Sequence, residues 1–598
     1  MCRRSIVPAT LYLGLSLEKL EWTHETGFSF QRLTMPHSIV TLLPWTKTIG
    51  LSFPEPFQIT IRPKRSNFIF LGIKESEFGF HHDIALHRAI WKSIEPKEYS
   101  NIPPMPLSKS KLIAFRQCPR RLWREIHRRE LRDDSGAMAG FRVGREVGEV
   151  ARRVYDPEGK GTLVEVDELG YEEAFRLTAS LLERAEGPVF EAALRAKGAL
   201  AFADVMLPTG SRGEPGWRML EVKSTTGVKD YHRDDLAIQA WLARRTGIPL
   251  TGAGIAHIEN TFVYGGDGDY RGLFREVDFT EETRFRDVEV EAWINQALEV
   301  ADAPEEPAIP MGPQCSDPFD CPFAGWCSRG EPVVECPLSW LPNFNGPRRA
   351  AVEALGITDL REVPDAYLSE LQKHVRDVTI SGETWFDREG AAAALAPHGF
   401  PAWFLDFETV MMPVPIWKGT RPYQQIPFQF SLHRLGEDGT RRHEAFLDLS
   451  GDDPSAALAA SLVAKTGASG PVFAYNAKFE RMVIHQLAAR FPEWAEPLVA
   501  IAARLVDLHP IAKTHFYDPS QHGSWSLKAV LPAIAPDLSY AQLEGVADGE
   551  MAVEAYREAI APETTVERRA KIEGQLLAYC ELDTLALVRL WEGFRGKV

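Results

Sequence analysis

Phe404-Leu405-Asp406-Phe407-Glu408-Thr409 is an apolar stretch that carries two carboxylates. Its apolar residues predict a buried strand, and residues two apart on a strand point to the same side of the sheet. Asp406 and Glu408 would then repel each other and lose hydration. A divalent metal ion would remove that cost. An edge strand with solvated acids is the plainer interpretation of a lone D-x-E pattern, but three later stretches favour the metal ion.

These later stretches follow in a fixed order along the last third of the chain. They are Tyr475-Asn476-Ala477-Lys478-Phe479-Glu480, Leu505-Val506-Asp507-Leu508 and Tyr579-Cys580-Glu581-Leu582-Asp583. With Asp406 and Glu408, the series resembles the DEDD exonucleases of the DnaQ-like proofreading family, which have a ribonuclease-H-like fold. On a helix, Tyr579 and Asp583 would be i and i+4 neighbours on one face. This matches the subtype with tyrosine in the last motif.

The resemblance implies a two-metal site in this domain. Asp406, Glu408 and Asp583 would bind two Mg²⁺ or Mn²⁺ ions, with Glu480 as a further ligand, and Tyr579 would orient the attacking water. The chain departs from the family at Glu480, where aspartate is usual. Glutamate can still bind a metal ion, but its extra methylene group moves the carboxylate.

A second set of charged residues lies on two predicted strands, Ala201–Met206 and Arg218–Ser224. Asp204 lies on the first, and Glu221 and Lys223 share one face of the second. A predicted helix at about Tyr231–Arg244 presents Gln239. This D…E-x-K pattern followed by glutamine resembles the RecB-like PD-(D/E)xK nucleases, which have a restriction-endonuclease-like fold.

That resemblance implies that Asp204 and Glu221 bind a divalent metal ion, which activates a water molecule and polarises the scissile phosphate. Lys223 would stabilise the developing charge, and Gln239 would complete the motif. The family often supplies a histidine ligand from the preceding helix, whereas this chain has Gly148 there.

Four cysteines flank this predicted nuclease core, with Cys118 before it and Cys315, Cys321 and Cys327 after it. RecB-like iron–sulfur nucleases distribute their cysteines in the same way, which implies a [4Fe-4S] cluster that joins the two ends of the domain. Zinc is the alternative, because four thiolates also suit it. The spacing is unlike the paired C-x-x-C of zinc ribbons. The remaining cysteines are predicted to be free thiols; they are Cys2, Cys336 and Cys580.

Two further helical segments could contact nucleic acid. Ser108 is predicted to cap a helix that continues into a basic stretch with Arg116, Arg120, Arg121 and Arg124. A phosphate-contacting surface and a solvated helix face both fit this stretch. Residues 344–357 resemble a helix-hairpin-helix unit, for which a plain linker bundle is the alternative.

Length and composition narrow the class of protein. The 598 residues suggest about three to five domains. A net charge of −16 argues against indiscriminate coating of polyanions, but a local basic groove could still bind nucleic acid. No apolar run reaches the roughly 18 residues of a membrane span. Seven cysteines in a chain of this length indicate metal ligation in a reducing cytoplasm, not a secreted disulfide scaffold.

We therefore predict an α/β protein with four regions. Residues 1–104 are an uncertain N-terminal extension without sustained periodicity, and Met105 is a candidate natural start. Residues 105–335 form the RecB-like domain, 336–398 a helical linker and 399–598 the exonuclease-like domain. The combination resembles a bacterial domain-of-unknown-function family, numbered 2779.

The predicted activity is metal-dependent hydrolysis of phosphodiester bonds in nucleic acid. DNA is favoured over RNA, in single-stranded or end-bearing form, and no membrane partner is expected. The alternative is a nucleic-acid-binding or scaffold protein in which one or both sites are degenerate.

Overall fold

The structure is a computed structural model, and it describes residues 49–52, 58–63, 69–74, 106–134, 137–210, 216–330 and 333–596. The chain divides into two compact units, Met1–Pro104 and Met105–Val598. The described part of the first unit is a three-stranded antiparallel sheet of β1 (Ile49–Ser52), β2 (Gln58–Pro63) and β3 (Ile69–Lys74). The predictions for the rest of residues 1–104 lie outside the described residues.

The N-terminal half of the second unit is built on a seven-stranded mixed sheet. Its strands are β4 (Leu107–Ser108), β5 (Thr162–Leu163), β6 (Val189–Ala196), β7 (Ala199–Pro208), β8 (Trp217–Lys223), β9 (Leu250–Ile258) and β10 (Phe274–Asp278). The order is β10-β9-β8-β7-β6-β5, and β4 pairs with β7. The pairs β6–β7, β7–β8 and β9–β10 are antiparallel, whereas the pairs β4–β7, β5–β6 and β8–β9 are parallel. The two strands predicted to carry Asp204 and Glu221 are thus adjacent, as β7 and β8.

Nine helices surround this sheet in the described residues. They are α1 (Lys109–Gln117), α2 (Pro119–His127), α3 (Ala137–Tyr155), α4 (Val166–Leu169), α5 (Tyr171–Arg184), α6 (Asp230–Arg245), α7 (Thr280–Phe285), α8 (Asp287–Asp302) and α9 (Ala324–Cys327). Ser108 caps α1 as predicted, because its hydroxyl accepts a hydrogen bond from the Lys111 amide at 3.4 Å. α6 is buried continuously from Leu236 to Ala243 and packs in the main core of this half.

The region predicted as a helical linker contains more than helices. It holds α10 (Gly346–Glu353), α11 (Glu370–Ser381), β11 (Trp385–Phe386) and α12 (Arg388–Leu395), separated by short 3-10 turns. β11 pairs with a strand of the C-terminal domain. Val352 and Val375 from this region share one core cluster with Phe404 and Trp591. The region therefore packs as part of the C-terminal domain.

The C-terminal domain is a five-stranded sheet with helices on both faces. The strands are β12 (Ala402–Val410), β13 (Ile426–Leu435), β14 (Arg441–Leu447), β15 (Val472–Ala474) and β16 (Leu505–Asp507), and the pair to β11 is β17 (Phe516–Tyr517). The order is β14-β13-β12-β15-β16, with β13 antiparallel and β15 parallel to β12. Both Phe404 and Leu405 on β12 are fully buried, because each face of the strand meets a different core cluster.

Seven helices complete this domain. They are α13 (Ser455–Lys465), α14 (Lys478–Arg490), α15 (Ala495–Ala503), α16 (Leu508–His515), α17 (Leu527–Ile534), α18 (Gly549–Ile560) and α19 (Val566–Phe594). α19 crosses the sheet and contacts β12 and β13. The described residues thus confirm a mixed α/β architecture. None of the helices among them has the length and apolarity needed to cross a membrane.

The loop between β12 and β13 connects the two halves of the second unit. The Tyr264 amide donates a hydrogen bond to the Thr420 carbonyl at 3.0 Å, and the Gly419 amide donates to the Tyr264 carbonyl at 2.8 Å. Val414 is buried in the same cluster as Val147 of α3. The strand that carries Asp406 is therefore continuous with a loop that packs on the N-terminal half.

Candidate active sites

The first candidate site forms where β12 meets α19. Asp406 and Glu408 lie on β12 on either side of buried Phe407, and Tyr579 and Asp583 lie on the buried face of α19, as predicted. Asp583 raises the pKa of both carboxyl groups on β12, which places the three acids close together. The structure thus brings four of the five predicted residues of this site together.

Cys580 is an unpredicted neighbour of these acids. One ligand atom from each of Asp406, Glu408 and Cys580 lies within 4.8 Å of the other two. The thiol is fully buried and donates to Asp406 Oδ2 at 3.8 Å. The prediction of a free thiol holds for Cys580. The sequence could have predicted that Cys580 lies near the acids, because it comes three residues before Asp583 on a helix and such residues share a face.

Two further side chains contact this site and were missed in the sequence. The Tyr540 hydroxyl donates to Asp583 Oδ1 at 2.5 Å. Lys528 Nζ lies 5.0 Å from the ring centroid of Tyr540 and 5.3 Å from that of Tyr579. Lys528 comes from α17. Tyr540 comes from a 3-10 turn whose sequence gives no motif.

The electrostatics of this acidic group fit a hard divalent cation. Burial raises the pKa of Glu408 to about 8, with a further increase from Asp583, and burial also raises the pKa of Asp583 to about 6. Burial and the neighbouring acids hold the pKa of Asp406 well above its ordinary value. Such a set retains protons near neutral pH unless a cation compensates its charge. Carboxylate oxygens are the ligands that Mg²⁺ and Mn²⁺ prefer.

Glu480 lies beside this group but outside it. It occupies the first turn of α14 and is only 2% exposed, and its Oε2 atom is buried without a hydrogen-bond partner. Burial raises its pKa to about 8, and its charge in turn raises the pKa of Asp406. An unpaired buried carboxylate oxygen is costly, so Glu480 fits a ligand position that needs a cation. Among the described residues, neither Glu480 nor Asp583 joins the group of ligand atoms formed by Asp406, Glu408 and Cys580 within 4.8 Å.

The second candidate site lies on β7, β8 and α6, as predicted. Glu221 accepts a hydrogen bond from Gln239 Nε2 through Oε2, and Lys223 Nζ donates to its Oε1 at 2.7 Å. Asp204 Oδ2 accepts from the Val222 amide at 2.7 Å. The four predicted residues Asp204, Glu221, Lys223 and Gln239 therefore lie together.

Three more charged residues belong to this site and were not predicted. Lys109, the first residue of α1, donates to Glu221 Oε1 at 2.7 Å. Asp235 lies one helical turn before Gln239 on α6 and accepts from Lys223 at 2.5 Å. Glu191 on β6 lies opposite Asp204 at an interruption of the β6–β7 pairing, and its φ is +53°. Asp235 could have been predicted from its i to i+4 spacing with Gln239, because residues at that spacing share a helix face.

Burial and the two lysines shift the pKa values of Asp204 and Glu221 in opposite directions. Burial and Glu221 raise the pKa of Asp204 well above its ordinary value. Burial would also raise the pKa of Glu221, but Lys109 and Lys223 outweigh it and hold the pKa well below the usual range. Glu221 is thus ionised and Asp204 is poised to lose a proton when a cation binds. This donor set fits a divalent metal ion.

A cavity of about 520 Å³ opens onto this site. Lys109, Glu191, Asp204, Glu221 and Lys223 line one side of it, and α3 lines the other. Gly148 lies on that α3 face, so the position expected to hold a histidine does face the cavity. A β-carbon there would meet only Arg152 Nη1, at 4.0 Å.

The four predicted cluster cysteines line one small cavity. They are Cys118, Cys315, Cys321 and Cys327. The Gln117 side chain donates to the Gln314 carbonyl at 2.9 Å and to the Phe319 carbonyl at 2.6 Å, which connects the two ends of the domain. Within the described residues, no three of these sulfurs lie within 4.8 Å of one another. Tetrahedral zinc with bonds of about 2.3 Å needs sulfurs about 3.8 Å apart. A cubane separates its four thiolates further, because each binds a different iron, and four cysteine thiolates are the donor set that such a cluster takes.

The arginines beside Cys118 are held by the protein itself. Arg124 is 2% exposed, and it donates to Cys327 Sγ at 3.0 Å and pairs with Glu306 at 2.6 Å. Arg120 also pairs with Glu306, and Arg116 lies 3.9 Å from the Trp293 ring centroid. Neither alternative, a phosphate-contacting surface or a solvated helix face, holds for Arg124, which stabilises the cysteine loop.

Comparison with known proteins places one part of this chain in context. The family model "Domain of unknown function (DUF2779)" matches residues 403–526. The match covers Asp406, Glu408 and Glu480 and ends before Tyr579 and Asp583. No curated protein matched the chain.

Proposed function

We propose that the protein is a metal-dependent nuclease with two hydrolytic sites. The site of Asp406, Glu408 and Asp583 acts as a DnaQ-like 3′–5′ exonuclease, and the site of Asp204 and Glu221 acts as a RecB-like PD-(D/E)xK nuclease. One observation carries the proposal. The carboxylates of Asp406, Glu408 and Asp583, the last two of them buried, repel one another beside Tyr579. No basic side chain forms an ion pair with them in the described part of the chain.

At the exonuclease site, the chain's own residues bind and orient the reactants. Asp406, Glu408 and Asp583 would hold Mg²⁺ or Mn²⁺, which supplies Lewis-acid polarisation of the phosphate and activation of water when bound. The Tyr579 hydroxyl, whose hydrogen bond to Asp583 favours the ionised carboxylate, would orient that water. Tyr540 holds the Asp583 carboxylate from the other side. The ammonium of Lys528 places positive charge at the rim, where it would favour the binding of a phosphate.

At the second site, Asp204 and Glu221 would hold the cation, and two lysines would compensate the negative charge of the phosphate. Lys109 and Lys223 both donate to Glu221 Oε1 in this structure. Lys109 and Lys223 would be free to contact the phosphate if Glu221 held a cation. Lys223 then stabilises the charge that develops on the phosphoryl oxygens. Gln239 fixes the orientation of Glu221 through its second oxygen.

The four cysteines complete the proposal with a structural role. Cys118 and the cysteines after the nuclease core would hold a [4Fe-4S] cluster that joins α1 and α2 to the loop at 313–327. Arg124 and Arg120 already stabilise this junction through Glu306. The substrate is nucleic acid, and DNA is favoured over RNA.

A nucleic-acid-binding protein with degenerate sites is the second candidate. Two observations favour it: Glu480 lies outside the group of ligand atoms, and the α3 face of the second site offers glycine where a ligand could lie. The two candidates differ in turnover, because a binding protein retains affinity for oligonucleotides without cleaving them.

The experiment is cleavage of DNA and RNA oligonucleotides, labelled at either end, with Mn²⁺ or with EDTA. We expect the wild type to release mononucleotides from 3′ ends. Asp406→Asn should abolish that release while Lys223→Ala spares it, and Lys223→Ala should remove the remaining cleavage. Binding without metal-dependent cleavage of either substrate would establish the second candidate.

A further inference from the structure

Strand β13 buries a polar face beneath helix α19. From Gln429 to His433 polar and apolar residues alternate, and all of these residues are at most 3% exposed. Phe430 and Leu432 join the apolar core on one side of the sheet. Gln429, Ser431 and His433 therefore point to the other side, where α19 contacts the strand. Such alternation is usual for a strand with one face in water, so a buried polar face needs a different reason.

The three polar residues of β13 hold α19 through hydrogen bonds. Gln429 Nε2 donates to the Leu576 carbonyl at 2.8 Å. The Thr584 hydroxyl oxygen lies 2.6 Å from Ser431 Oγ and 2.8 Å from His433 Nδ1. We call these contacts the β13–α19 seam. They join one strand to two successive parts of one helix, so they restrict both the position of α19 along its axis and its rotation about that axis.

On α19, the β13–α19 seam runs beside the proposed metal ligand of that helix. Leu576, Cys580 and Thr584 recur at intervals of four residues, so they lie along one side of the helix, and all three are fully buried. Cys580, between the two ends of the seam, donates to Asp406 Oδ2 at 3.8 Å. Asp583 directly precedes Thr584 in the chain. A movement of the helix that broke the seam would therefore also move the Asp583 carboxylate.

On the sheet, the β13–α19 seam runs beside the proposed metal ligands of β12. Ser431 is the strand partner of Asp406, and Gln429 is the strand partner of Glu408. Residues directly opposite each other on neighbouring strands project from the same face of the sheet. Each carboxylate of β12 thus has a seam residue next to it, and the seam joins β13 to α19 at the level of these carboxylates.

Stability alone does not explain the polar character of the seam. Apolar groups of the same shape in place of a buried hydrogen-bonded pair are often neutral for stability. Gln429 even retains a buried Oε1 atom without a partner in the described part of the chain, which is costly. Apolar contacts are non-directional, whereas a buried hydrogen-bond network specifies one packing arrangement. A slip of one residue moves a helix by about 1.5 Å along its axis, which is more than a metal ligand tolerates.

We propose that the β13–α19 seam positions the metal-binding carboxylates, with Thr584 and Gln429 as positioning residues. The carboxylates of Asp406, Glu408 and Asp583 repel one another, and this repulsion pushes α19 away from β12. The seam holds the helix against that repulsion and keeps Asp583 aligned with the two acids of β12. The inference rests on the proposed exonuclease function and deepens it, because it assigns the residues that hold the ligand set of that site in alignment.

The test measures Mn²⁺ binding by calorimetry in the full chain. An Asp204→Asn background removes a ligand of the second site, so that binding reports on the exonuclease site. Thr584→Val keeps the shape and removes the hydroxyl, and Mn²⁺ affinity should fall about ten- to hundred-fold, as it does when a partner that orients a metal ligand is lost. Thr584→Ser retains the hydroxyl and should restore most of the affinity. Thr466→Val is the matched control, because the Thr466 hydroxyl is buried and has no partner among the described residues; its Mn²⁺ affinity should equal that of the background.

Gln429→Met separates positioning from stability. The substitution removes one hydrogen bond and one unsatisfied buried atom, and the Leu576 carbonyl keeps its place in the helical hydrogen-bond pattern. These effects offset each other, so the melting temperature in EDTA should stay close to that of the parent. Mn²⁺ affinity should nevertheless fall, because α19 has lost one of its directional contacts. A lower melting temperature with unchanged Mn²⁺ affinity would show that the seam only stabilises the fold, and it would overturn the inference.

The outcomes separate this inference from the exonuclease proposal. Mn²⁺ affinity that falls in Thr584→Val and returns in Thr584→Ser, in a protein that releases no mononucleotides, would support the seam and refute the exonuclease. Release of mononucleotides with unchanged Mn²⁺ affinity in Thr584→Val would support the exonuclease and refute the seam. An Asp204→Asn protein that binds no Mn²⁺ would refute both.

Discussion

The Tyr423 hydroxyl donates a hydrogen bond to the backbone carbonyl of Ser224, the residue that follows Lys223. Tyr423 lies in the loop that leaves β12 after Glu408 and returns to β13. Thr409 and Gln425, at the two ends of that loop, are joined by a side-chain hydrogen bond of 2.5 Å. The strand of the exonuclease site is thus connected to the strand of the second site through one loop and one hydroxyl.

Tyr423→Phe tests whether this contact positions the second site. Loss of one neutral hydrogen bond costs about 1 kcal/mol of unfolding free energy, and we expect a several-fold loss of Lys223-dependent cleavage. Exonuclease activity should stay unchanged, because Asp406 and Glu408 are anchored by the sheet and not by the loop. Denaturant unfolding and cleavage assays measure the two effects. Tyr171→Phe, at a ring that is half exposed, is the control, and an equal loss there would contradict the positioning role.

The stability of the metal-free protein should fall as pH rises. Burial raises the pKa of Glu408 and of Glu480 to about 8, above the value of about 4.3 for an unfolded glutamate. The folded state therefore binds protons more tightly, and its stabilisation is complete below about pH 4 and is lost as pH rises towards 8. Melting temperatures in EDTA should fall across that window, while the increase caused by Mn²⁺ should grow. A Mn²⁺ effect that is constant from pH 5 to pH 9 would argue against ligation by these carboxylates.

Tyr540→Phe should move the pH dependence of the exonuclease to higher pH. The Tyr540 hydroxyl favours the ionised form of Asp583 and so lowers a pKa that burial raises. Without this donor the pKa of Asp583 rises, and the carboxylate needs a higher pH to ionise and bind a cation. The pH–rate profile measures the shift. Tyr556→Phe is a matched control, because the Tyr556 hydroxyl is buried without a partner; an equal shift in both variants would count against the role of Tyr540.

The cysteine cavity predicts a coloured protein. Protein purified without oxygen should be brown, absorb broadly at about 400 nm and contain about four irons per chain, as a four-thiolate cluster requires. Cys321→Ala should lose the colour and lower the melting temperature of the N-terminal half. Cys336→Ala is the control, because Cys336 is buried in the other half and lies away from this cavity. Stoichiometric zinc without iron in the same preparation would reverse the assignment.

The features of the fold and the sites that were predicted correctly from the sequence are those that a local pattern of residues determines. Strands β7, β8 and β12 and helix α19 follow from alternation and helical spacing, and their carboxylates point where those periods place them. Lys109 contacts Glu221 from 112 residues away, and Tyr540 reaches Asp583 from an irregular turn, so neither spacing nor propensity marks them. Arg124 was misread because a basic helix looks the same in sequence whether its arginines face water or a buried carboxylate and a thiol.

We predict that Glu480 sets the activity of the proposed exonuclease site. Its carboxylate is buried, its Oε2 atom has no partner, and it lies outside the group formed by Asp406, Glu408 and Cys580. Glu480→Asp shortens the side chain to the length usual in the family that the motifs resemble. We expect a several-fold faster release of mononucleotides and tighter Mn²⁺ binding in calorimetry. Glu480→Gln keeps the length and removes the charge, so it should weaken Mn²⁺ binding and slow release.

Asp387→Asn serves as a surface control, since Asp387 pairs with His515 at 2.9 Å away from the acidic group. If Glu480→Asp and Glu480→Gln both leave Mn²⁺ affinity and release unchanged, Glu480 is not a ligand, and the site works with the carboxylates of β12 and α19 alone.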